Sequence, residues 1–311
     1  MRKMSSALPR QACILAALLL AGPAAAADRA AQLDVAGTAR SYALHVPDRA
    51  APADGFPLVF AFHGGGMQGE GMRRMTRLDA VADERGFIVV YPDGVDKHWN
   101  DGRATIRNPQ DDVGFVTALI ARIARDEKID RGRIYATGIS NGALFAERLG
   151  CELSATIAAI APVAGTLPAD IAPDCRPARP LAVLQIDGTL DPIMPFGGGM
   201  VADFGGRGEG GQVLAVAATA AFWARANGGG AADAPQPLAP VAPPDRTRIV
   251  RTNYGGCPAG AAVTLLTIIG GGHAWPGGPQ YARPAVIGKA SGQLDASRAI
   301  VDFFLAQPRV D

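Results

Sequence analysis

The feature that most constrains how this chain can fold is an alternation of short, wholly apolar runs with longer amphipathic segments. Residues 57–62 (PLVFAF) and 87–91 (FIVVY) are continuous apolar runs, and each has glycine or proline beside it. Such runs are typical of strands that are buried on both faces of a parallel sheet. The segments between them space their apolar residues three and four positions apart, as amphipathic helices do. The alternation predicts an α/β fold in which helices cover both faces of a mostly parallel central sheet.

The predicted elements run along the whole chain after its first 27 residues. The predicted strands are a hairpin at 33–46 and single strands at 57–62, 87–91, 133–137, 156–163, 181–186, 248–252 and 262–269. The predicted helices are 72–82, one capped by Asp112, one that begins at Asn141, 213–226 and a closing helix at 291–306. Segments 196–211 and 228–245 are predicted as surface loops. No repeat or composition shift marks a boundary, so we expect a single domain over residues 28–311.

The first 27 residues have the layout of an export signal. Arg2, Lys3 and Arg10 precede an apolar run of 11 residues, 12–22, which a proline and four alanines follow. An apolar core of ~7–15 residues before small residues is typical of a secretory signal peptide, whereas a membrane span needs ~20 apolar residues. We therefore expect residues 1–27 to be a signal peptide and the mature protein to be secreted or periplasmic, with no membrane contact after cleavage.

The charge balance excludes two kinds of partner. The chain carries 30 basic and 29 acidic residues, which gives a formal net charge of +1. Proteins that bind the phosphates of nucleic acids or an anionic membrane surface usually carry an excess of positive charge. We therefore expect neither nucleic acid nor a membrane as a partner.

Three cysteines remain after the predicted signal peptide. An exported protein can form disulfides, and an odd number of cysteines leaves one thiol unpaired. Cys151 and Cys175 flank one predicted strand, so we predict that they form the disulfide and that Cys257 is left over. The chain has no cysteine and histidine cluster with the spacing of zinc ligands, so we expect no metal site.

The first candidate for catalysis is Ser140, in the G-x-S-x-G sequence of residues 138–142 (GISNG). The sequence lies where a predicted strand meets a predicted helix. In that setting the turn is sharp and exposes the serine, and glycines on either side let neighbouring backbone pass. The pentapeptide alone could also be an ordinary turn with a capping serine, so its partners must be found.

The order of catalytic residues along the chain limits which acid and which histidine could act with Ser140. In folds with this serine turn, an acid and then a histidine follow the serine. Of four histidines only His273 follows Ser140, and it lies in a loop directly after the predicted strand 262–269. Asp187 and Asp191 both follow the predicted strand 181–186. Their positions alone do not separate these two candidates for the acid.

These residues together predict nucleophilic catalysis without a cofactor. His273 would take the proton of the Ser140 hydroxyl, and the acid would orient the imidazole. The oxyanion that forms would need backbone donors. The Asn141 N–H is one candidate, and the other lies in the glycine loop 63–66 (HGGG), where we choose Gly65. We expect His63 to be structural.

The motifs resemble a known family, the secreted α/β-hydrolases grouped as polyhydroxybutyrate depolymerase-like and feruloyl esterase-like proteins, relatives of carbohydrate esterase family 1. The matching segments are 63–66 (HGGG), 99–103 (WNDGR), 111–115 (DDVGF), 133–142 (RIYATGISNG), 161–165 (APVAG), 187–195 (DGTLDPIMP) and 272–278 (GHAWPGG). The resemblance implies a single α/β-hydrolase catalytic domain. It also implies a triad of Ser140, Asp191 and His273, which favours Asp191 as the acid.

The chain departs from the family pattern at three positions. The family usually has histidine where this chain has Asp187, so two carboxylates lie near the acid position. The usual cysteine near position 229 is Gly229 here, which removes the usual partner of Cys257. Ala143 replaces a common glycine.

Two tryptophans lie within the motifs, Trp99 and Trp275. A flat aromatic ring suits contact with a sugar or feruloyl ring, so both are candidate substrate contacts, although both could equally pack the loops.

The resemblance implies a secreted serine esterase whose partner is a small or oligomeric ester. Our first expectation for the substrate is a feruloyl or acetyl ester of plant xylan, and the alternative is a polyhydroxybutyrate or 3-hydroxybutyrate oligomer. A catalytically silent binding protein on the same fold is the remote alternative, because a fold alone does not determine function.

Overall fold

The structure is a computed structural model that describes residues 27–203 and 208–309. The predicted signal peptide therefore falls almost wholly outside the described residues. The strands are β1 (Ala27–Val35), β2 (Thr38–Val46), β3 (Phe56–Phe62), β4 (Ile88–Pro92), β5 (Ile129–Ile139), β6 (Ala159–Val163), β7 (Ala182–Gly188), β8 (Gly199–Met200), β9 (Gln212–Val213), β10 (Gln236–Pro237), β11 (Arg248–Tyr254) and β12 (Val263–Ile269). The helices are α1 (Gly69–Thr76), α2 (Leu78–Arg85), α3 (Asp112–Asp126), α4 (Asn141–Glu152), α5 (Val216–Ala226), α6 (Pro284–Ile287) and α7 (Ala296–Leu305).

Ten of these strands form one sheet in the order β1-β2-β4-β3-β5-β6-β7-β12-β11-β10. The six central strands, from β4 to β12 in that order, pair in parallel. The strands at the two edges pair antiparallel. The carboxyl ends of β5, β7 and β12 consequently lie at one edge of the sheet, where ligands bind in open α/β sheets. The predicted mostly parallel sheet is confirmed.

Helices cover both faces of the sheet, and the alternation of side chains along each strand explains why. In β3, Leu58, Phe60 and Phe62 enter one apolar cluster, with residues of α3, α4 and α5. The intervening Val59 and Ala61 enter a second cluster, with residues of α1, α2 and α7. Because both faces of each central strand are covered, these strands have to be apolar throughout, as the sequence indicated.

Two predicted helical features are wrong in detail. The predicted helix 72–82 is two helices, because Arg77 has a left-handed backbone with φ of 52° and its N–H closes α1 on Arg73. The predicted cap Asp112 is the first residue of α3, and Asp111 caps the helix by accepting a hydrogen bond from the Gly114 N–H. Asp112 is buried instead, and it accepts a hydrogen bond of 2.6 Å from Arg40.

The predicted disulfide is confirmed, since Cys151 and Cys175 are joined with their Cα atoms 5.0 Å apart. It ties the end of α4 to the segment that leads into β7. Cys257 carries a free thiol. A Cβ built on Gly229 would lie 2.4 Å from its sulfur, so the position of the missing family cysteine does face Cys257.

We expect Cys151→Ser to lower the free energy of unfolding by about 2–5 kcal/mol, because the cross-link no longer restricts the unfolded chain. Thermal unfolding of oxidised protein measures this loss. The matched control is Cys257→Ser, which removes a thiol without removing a cross-link and should melt close to wild type. Equal melting temperatures for Cys151→Ser and wild type would contradict the pairing.

A buried histidine joins the first hairpin to α2. The two ring nitrogens of His45 lie 2.8 Å from Asp28 and 3.0 Å from Asp83. Burial lowers the pKa of His45, but its hydrogen bond to Asp28 and the charges of Asp79 and Asp83 outweigh burial and raise it above the usual 6.5. Asp28, His45 and Asp79 could together offer metal ligands, but the Arg73 guanidinium already pairs with both carboxylates.

The raised pKa of His45 predicts a pH-dependent stability. The protonated imidazole stabilises the fold fully below about pH 6.5, and this stabilisation is lost as the pH rises through the raised pKa of the folded state. Asp83→Asn should therefore lower the free energy of unfolding at pH 6 by roughly 0.5–1 kcal/mol, because half-exposed Asp83 is partly screened, and by less at pH 9. Urea unfolding at the two pH values measures the difference. An equal or larger loss at pH 9 would contradict it.

Within the described residues, no helix is both long and apolar enough to span a membrane.

Candidate active site

Ser140 occupies a sharp turn between β5 and α4. Its backbone has φ of 58° and ψ of −125°, a conformation that is strained for a residue with a side chain. A Cβ on Gly138 would lie 2.4 Å from the Gly142 carbonyl oxygen, and one on Gly142 would lie 2.3 Å from that of Phe62. Both positions of the G-x-S-x-G sequence therefore require glycine, and the strand–turn–helix context inferred for it is present.

His273 lies in the loop after β12 and is almost fully buried, with 3% of its surface exposed. Its Nδ1 lies 2.7 Å from Oδ2 of Asp191. The other oxygen of Asp191 accepts hydrogen bonds of 2.8 Å from the N–H groups of Ile193 and Met194. The carboxylate is therefore held from one side while it holds the imidazole from the other, and it fixes the ring's orientation.

Asp187 does not contact His273 in this arrangement. Its Oδ1 accepts a hydrogen bond from the Gly165 N–H, and its Oδ2 accepts one from the Gln185 side chain. Burial raises the pKa of Asp187 to about 8, and the charge of Asp191 acts in the same direction, while the two hydrogen bonds oppose the shift. The Asp187 carboxyl is thus mostly uncharged at neutral pH.

A second buried carboxyl lies behind Asp187. Glu147 of α4 is fully buried and accepts a hydrogen bond from the Trp223 indole. Burial raises its pKa to about 8, the hydrogen bond from Trp223 opposes this shift, and the proximity of Asp187 acts in the same direction as burial. The raised pKa values favour the protonated, uncharged form of both buried carboxyls. Asp191 is the carboxyl that faces the imidazole.

The side chain of Asn141 is locked, which fixes the backbone N–H beside it. Its amide nitrogen donates hydrogen bonds to the Trp99 carbonyl oxygen and to Asp101, and its amide oxygen accepts one from the Trp99 N–H. Asp101 is in turn paired with Arg103. The segment 99–103 therefore braces the start of α4, where the Asn141 N–H has no intrahelical acceptor.

The glycine loop after β3 is held by His63, which is fully buried. Its Nδ1 lies 2.9 Å from the Gly64 carbonyl oxygen, and its Nε2 accepts a hydrogen bond from the Gly94 N–H. Burial lowers the pKa of His63 to about 4, so the ring is neutral and fixes the loop without carrying charge. His63 is structural, as expected.

One cavity of about 290 Å³ brings most of the predicted site residues together. Ser140, His273, Asn141 and Gly65 all line it. Asp191 lies behind His273 and reaches the cavity only through the imidazole. The arrangement places a hydroxyl, an imidazole with its carboxylate and two backbone segments around one space that a small ester could enter.

The structure buries both tryptophans that were predicted as substrate contacts. Trp99 is fully buried, stacks on Phe145 and donates its indole N–H to the His63 carbonyl oxygen. Trp275 is 1% exposed and donates its indole N–H to Ser297. Neither ring lines the cavity that holds Ser140. Both tryptophans pack the loops that carry the site.

The sequence reasoning missed two kinds of cavity residue. Tyr281 lines the cavity, and its hydroxyl donates a hydrogen bond of 2.8 Å to the carbonyl oxygen of His273. Apolar side chains from distant segments form much of the remaining wall: Met67, Met75, Ile139, Ile193, Met194 and Val201. Ile139 lies within a predicted motif and Met67 adjoins one, and Ile193 and Met194 follow the candidate acid after one proline, whereas Met75 and Val201 had no such local signal.

The proteins to which this chain is similar are described as esterases, which agrees with the motifs and with the geometry of the site. A family model described as "Esterase PHB depolymerase" matches residues 40–173. The chain is 35% identical over 284 residues to "Putative esterase NocK" of Nocardia uniformis subsp. tsuyamanensis, and the match covers 89% of this chain and 82% of that protein. It is 33% identical to "Feruloyl esterase B" of Piromyces equi over 61% of this chain, and it spans only 34% of that longer protein.

A solved structure shares the fold. "Acetyl xylan esterase from Aspergillus awamori" superposes with a TM-score of 0.55 and 15% identity, over 79% of this chain and 94% of that one. The likeness concerns the fold alone, and it confirms the predicted α/β-hydrolase architecture.

Proposed function

This chain belongs to the esterase PHB depolymerase family of ester hydrolases, and from that premise we propose that it is a secreted serine esterase with Ser140 as its nucleophile. The observation that carries the proposal is the hydrogen bond between His273 and Asp191 beside the cavity that Ser140 lines. A serine at a strained turn next to an oriented imidazole is the arrangement that acyl transfer requires.

The proposed reaction proceeds through an acyl-enzyme. The Ser140 oxygen attacks the ester carbonyl carbon while His273 takes the hydroxyl proton. Asp191 keeps the Nδ1 proton of the imidazole in place and stabilises the imidazolium. His273 then returns the proton to the departing alcohol, and water repeats the sequence to release the acid. No step needs a cofactor.

The oxyanion of each tetrahedral intermediate needs N–H donors, and we assign these to Gly65 and Asn141. The N–H groups of Gly66 and Met67 already donate to the carbonyl oxygens of Lys97 and Gly64. Gly65 lines the catalytic cavity, and we assign its N–H as the donor from the glycine loop. Asn141 supplies the second from the first turn of α4, and removal of one such donor typically costs about 3–4 kcal/mol of barrier.

For the substrate, we propose feruloyl or acetyl esters of plant xylan. Relatives named feruloyl esterase and acetylxylan esterase support this class, and the apolar cavity wall suits an apolar acyl group. A second candidate is a 3-hydroxybutyrate oligomer, which the description of the matching family model favours. Export is supported by the predicted signal peptide and by the disulfide.

A side-by-side assay tests these proposals. Purified protein is given p-nitrophenyl acetate, methyl ferulate, acetylated xylan and 3-hydroxybutyrate oligomers at matched ester concentrations. We expect turnover of p-nitrophenyl acetate and a higher kcat/KM for the ferulate or xylan ester than for the oligomers. Preference for the oligomers would replace the proposed substrate by the second candidate, and no turnover of any ester would contradict the proposed esterase.

A further inference from the structure

A surface segment, residues 280–290, folds back against the loop that carries His273. Most of its residues are exposed or half-buried, and Ile287 is the residue of the segment that is buried. Tyr281 reaches inward from it and lines the catalytic cavity. The segment follows the motif of residues 272–278 and belongs to none of the motifs that resemble the family. We refer to residues 280–290 as the clamp.

The clamp holds both backbone polar groups of His273. The His273 N–H donates a hydrogen bond of 2.6 Å to the Ile287 carbonyl oxygen, and the Tyr281 hydroxyl donates one of 2.8 Å to the His273 carbonyl oxygen. One residue earlier, the Gly272 N–H donates to the Lys289 carbonyl oxygen. Because His273 is buried, a backbone group that lost its partner there would be left unsatisfied at a cost in free energy.

The side chain of Gln280 closes the clamp on itself. Gln280 is exposed, yet its amide nitrogen donates hydrogen bonds of 2.9 Å to the carbonyl oxygens of Ala282 and Gly288. Its amide oxygen accepts one of 2.8 Å from the Ala290 N–H. Gln280 therefore joins the two ends of the clamp, directly beside the tyrosine that holds His273.

The Tyr281 hydroxyl is suited to hold a carbonyl oxygen. Burial raises the pKa of Tyr281, and the proximity of Asp191 acts in the same direction. The hydroxyl consequently keeps its proton and remains a hydrogen-bond donor at every pH at which the esterase would be assayed.

The clamp supplies a constraint that the triad itself lacks. Asp191 contacts the imidazole at Nδ1, which orients the ring but leaves the backbone of His273 to be fixed by other groups. A base must be placed accurately to take a proton, and a displacement of about 1 Å in a catalytic group can cost about 100-fold in rate. A hold on the backbone and a hold on the ring together determine where Nε2 lies.

We propose that Tyr281 and Gln280 are positioning residues for the reaction: the clamp fixes the backbone of His273, so that the imidazole held by Asp191 keeps its Nε2 toward Ser140. The proposal rests on the proposed serine esterase and adds two residues that lie outside its triad and its oxyanion donors.

The experiment measures Tyr281→Phe and Gln280→Ala with p-nitrophenyl acetate. Tyr281→Phe keeps the ring in the cavity wall and removes only the hydroxyl. We expect each variant to lower kcat about five- to tenfold and to leave KM within about twofold of wild type, because a displaced base slows acylation and deacylation alike while the cavity is unchanged. The rate of labelling by a fluorophosphonate should fall by a similar factor, since labelling also needs His273 to take the Ser140 proton.

Tyr254→Phe is the matched control, because the Tyr254 hydroxyl also donates to a backbone carbonyl oxygen, that of Ala217, away from the catalytic cavity. It should leave kcat and the labelling rate unchanged. In every variant kcat is expressed per Ser140 that the fluorophosphonate labels at completion, so that unfolded protein does not lower the value.

A kcat and a labelling rate that both stay within about twofold of wild type in either clamp variant, or a change confined to KM, would overturn the positioning role of that residue while leaving the esterase intact. A wild type that neither hydrolyses p-nitrophenyl acetate nor reacts with the fluorophosphonate would instead reject the proposed function, and the role of the clamp with it.

Discussion

Ser140→Ala should lose nearly all esterase activity, with kcat/KM for p-nitrophenyl acetate falling by about 10⁵- to 10⁶-fold. The substitution removes only the attacking oxygen, so His273 and Asp191 should keep their hydrogen bond and the fold should be unchanged. Steady-state kinetics measure the loss, and circular dichroism with thermal unfolding checks the fold.

The matched control for this variant is Ser41→Ala, which removes a hydroxyl that donates to Asp93 outside the cavity. It should hydrolyse the ester at a rate close to wild type. A folded Ser140→Ala protein with activity within about tenfold of wild type would show that another group is the nucleophile, since losses of triad members usually cost many powers of ten.

Asp191→Asn should lower kcat/KM by about 10⁴-fold, as the equivalent change does in a serine protease. The amide would donate to Nδ1 of His273, and the imidazole would then carry its proton on the nitrogen that has to accept one from Ser140. Asp187→Asn should cost less than about tenfold near pH 7, because the carboxyl that it replaces is already mostly uncharged there.

The two variants are measured together as kcat/KM against pH. An ionisation near pH 8 that appears in the wild type and is absent from Asp187→Asn would agree with the raised pKa of that carboxyl. Greater damage from Asp187→Asn than from Asp191→Asn near pH 7 would assign the acid to Asp187 and contradict the proposed triad.

The sequence alone could not decide whether Asp187 or Asp191 is the acid of the triad. Both follow the same apolar run, and the local pattern gives no reason to prefer either. The structure extends β7 to Gly188, so Asp187 still lies in the strand and is buried against Gln185. Asp191 lies three residues beyond the strand, where two loop N–H groups hold it toward His273. The family resemblance, rather than the spacing, favoured Asp191.

Features that depend on local chain chemistry were predicted well. The continuous apolar runs identified the central strands, and the order of serine, acid and histidine left a single histidine to consider. The burial of the two tryptophans could not be predicted, because it depends on contacts between distant segments of the chain. Whether the Trp99 and Trp275 rings face a ligand or the core depends on Phe145 and Ser297, which are distant in the sequence.

The most direct test of the proposed chemistry is covalent labelling with a fluorophosphonate, followed by peptide mapping. We expect the wild type to gain one phosphonyl group on the peptide that contains Ser140. His273→Ala should label far more slowly, because no base takes the hydroxyl proton, and Ser140→Ala should not label at all. A label on a different serine, or an unlabelled protein that still hydrolyses esters, would contradict Ser140 as the nucleophile.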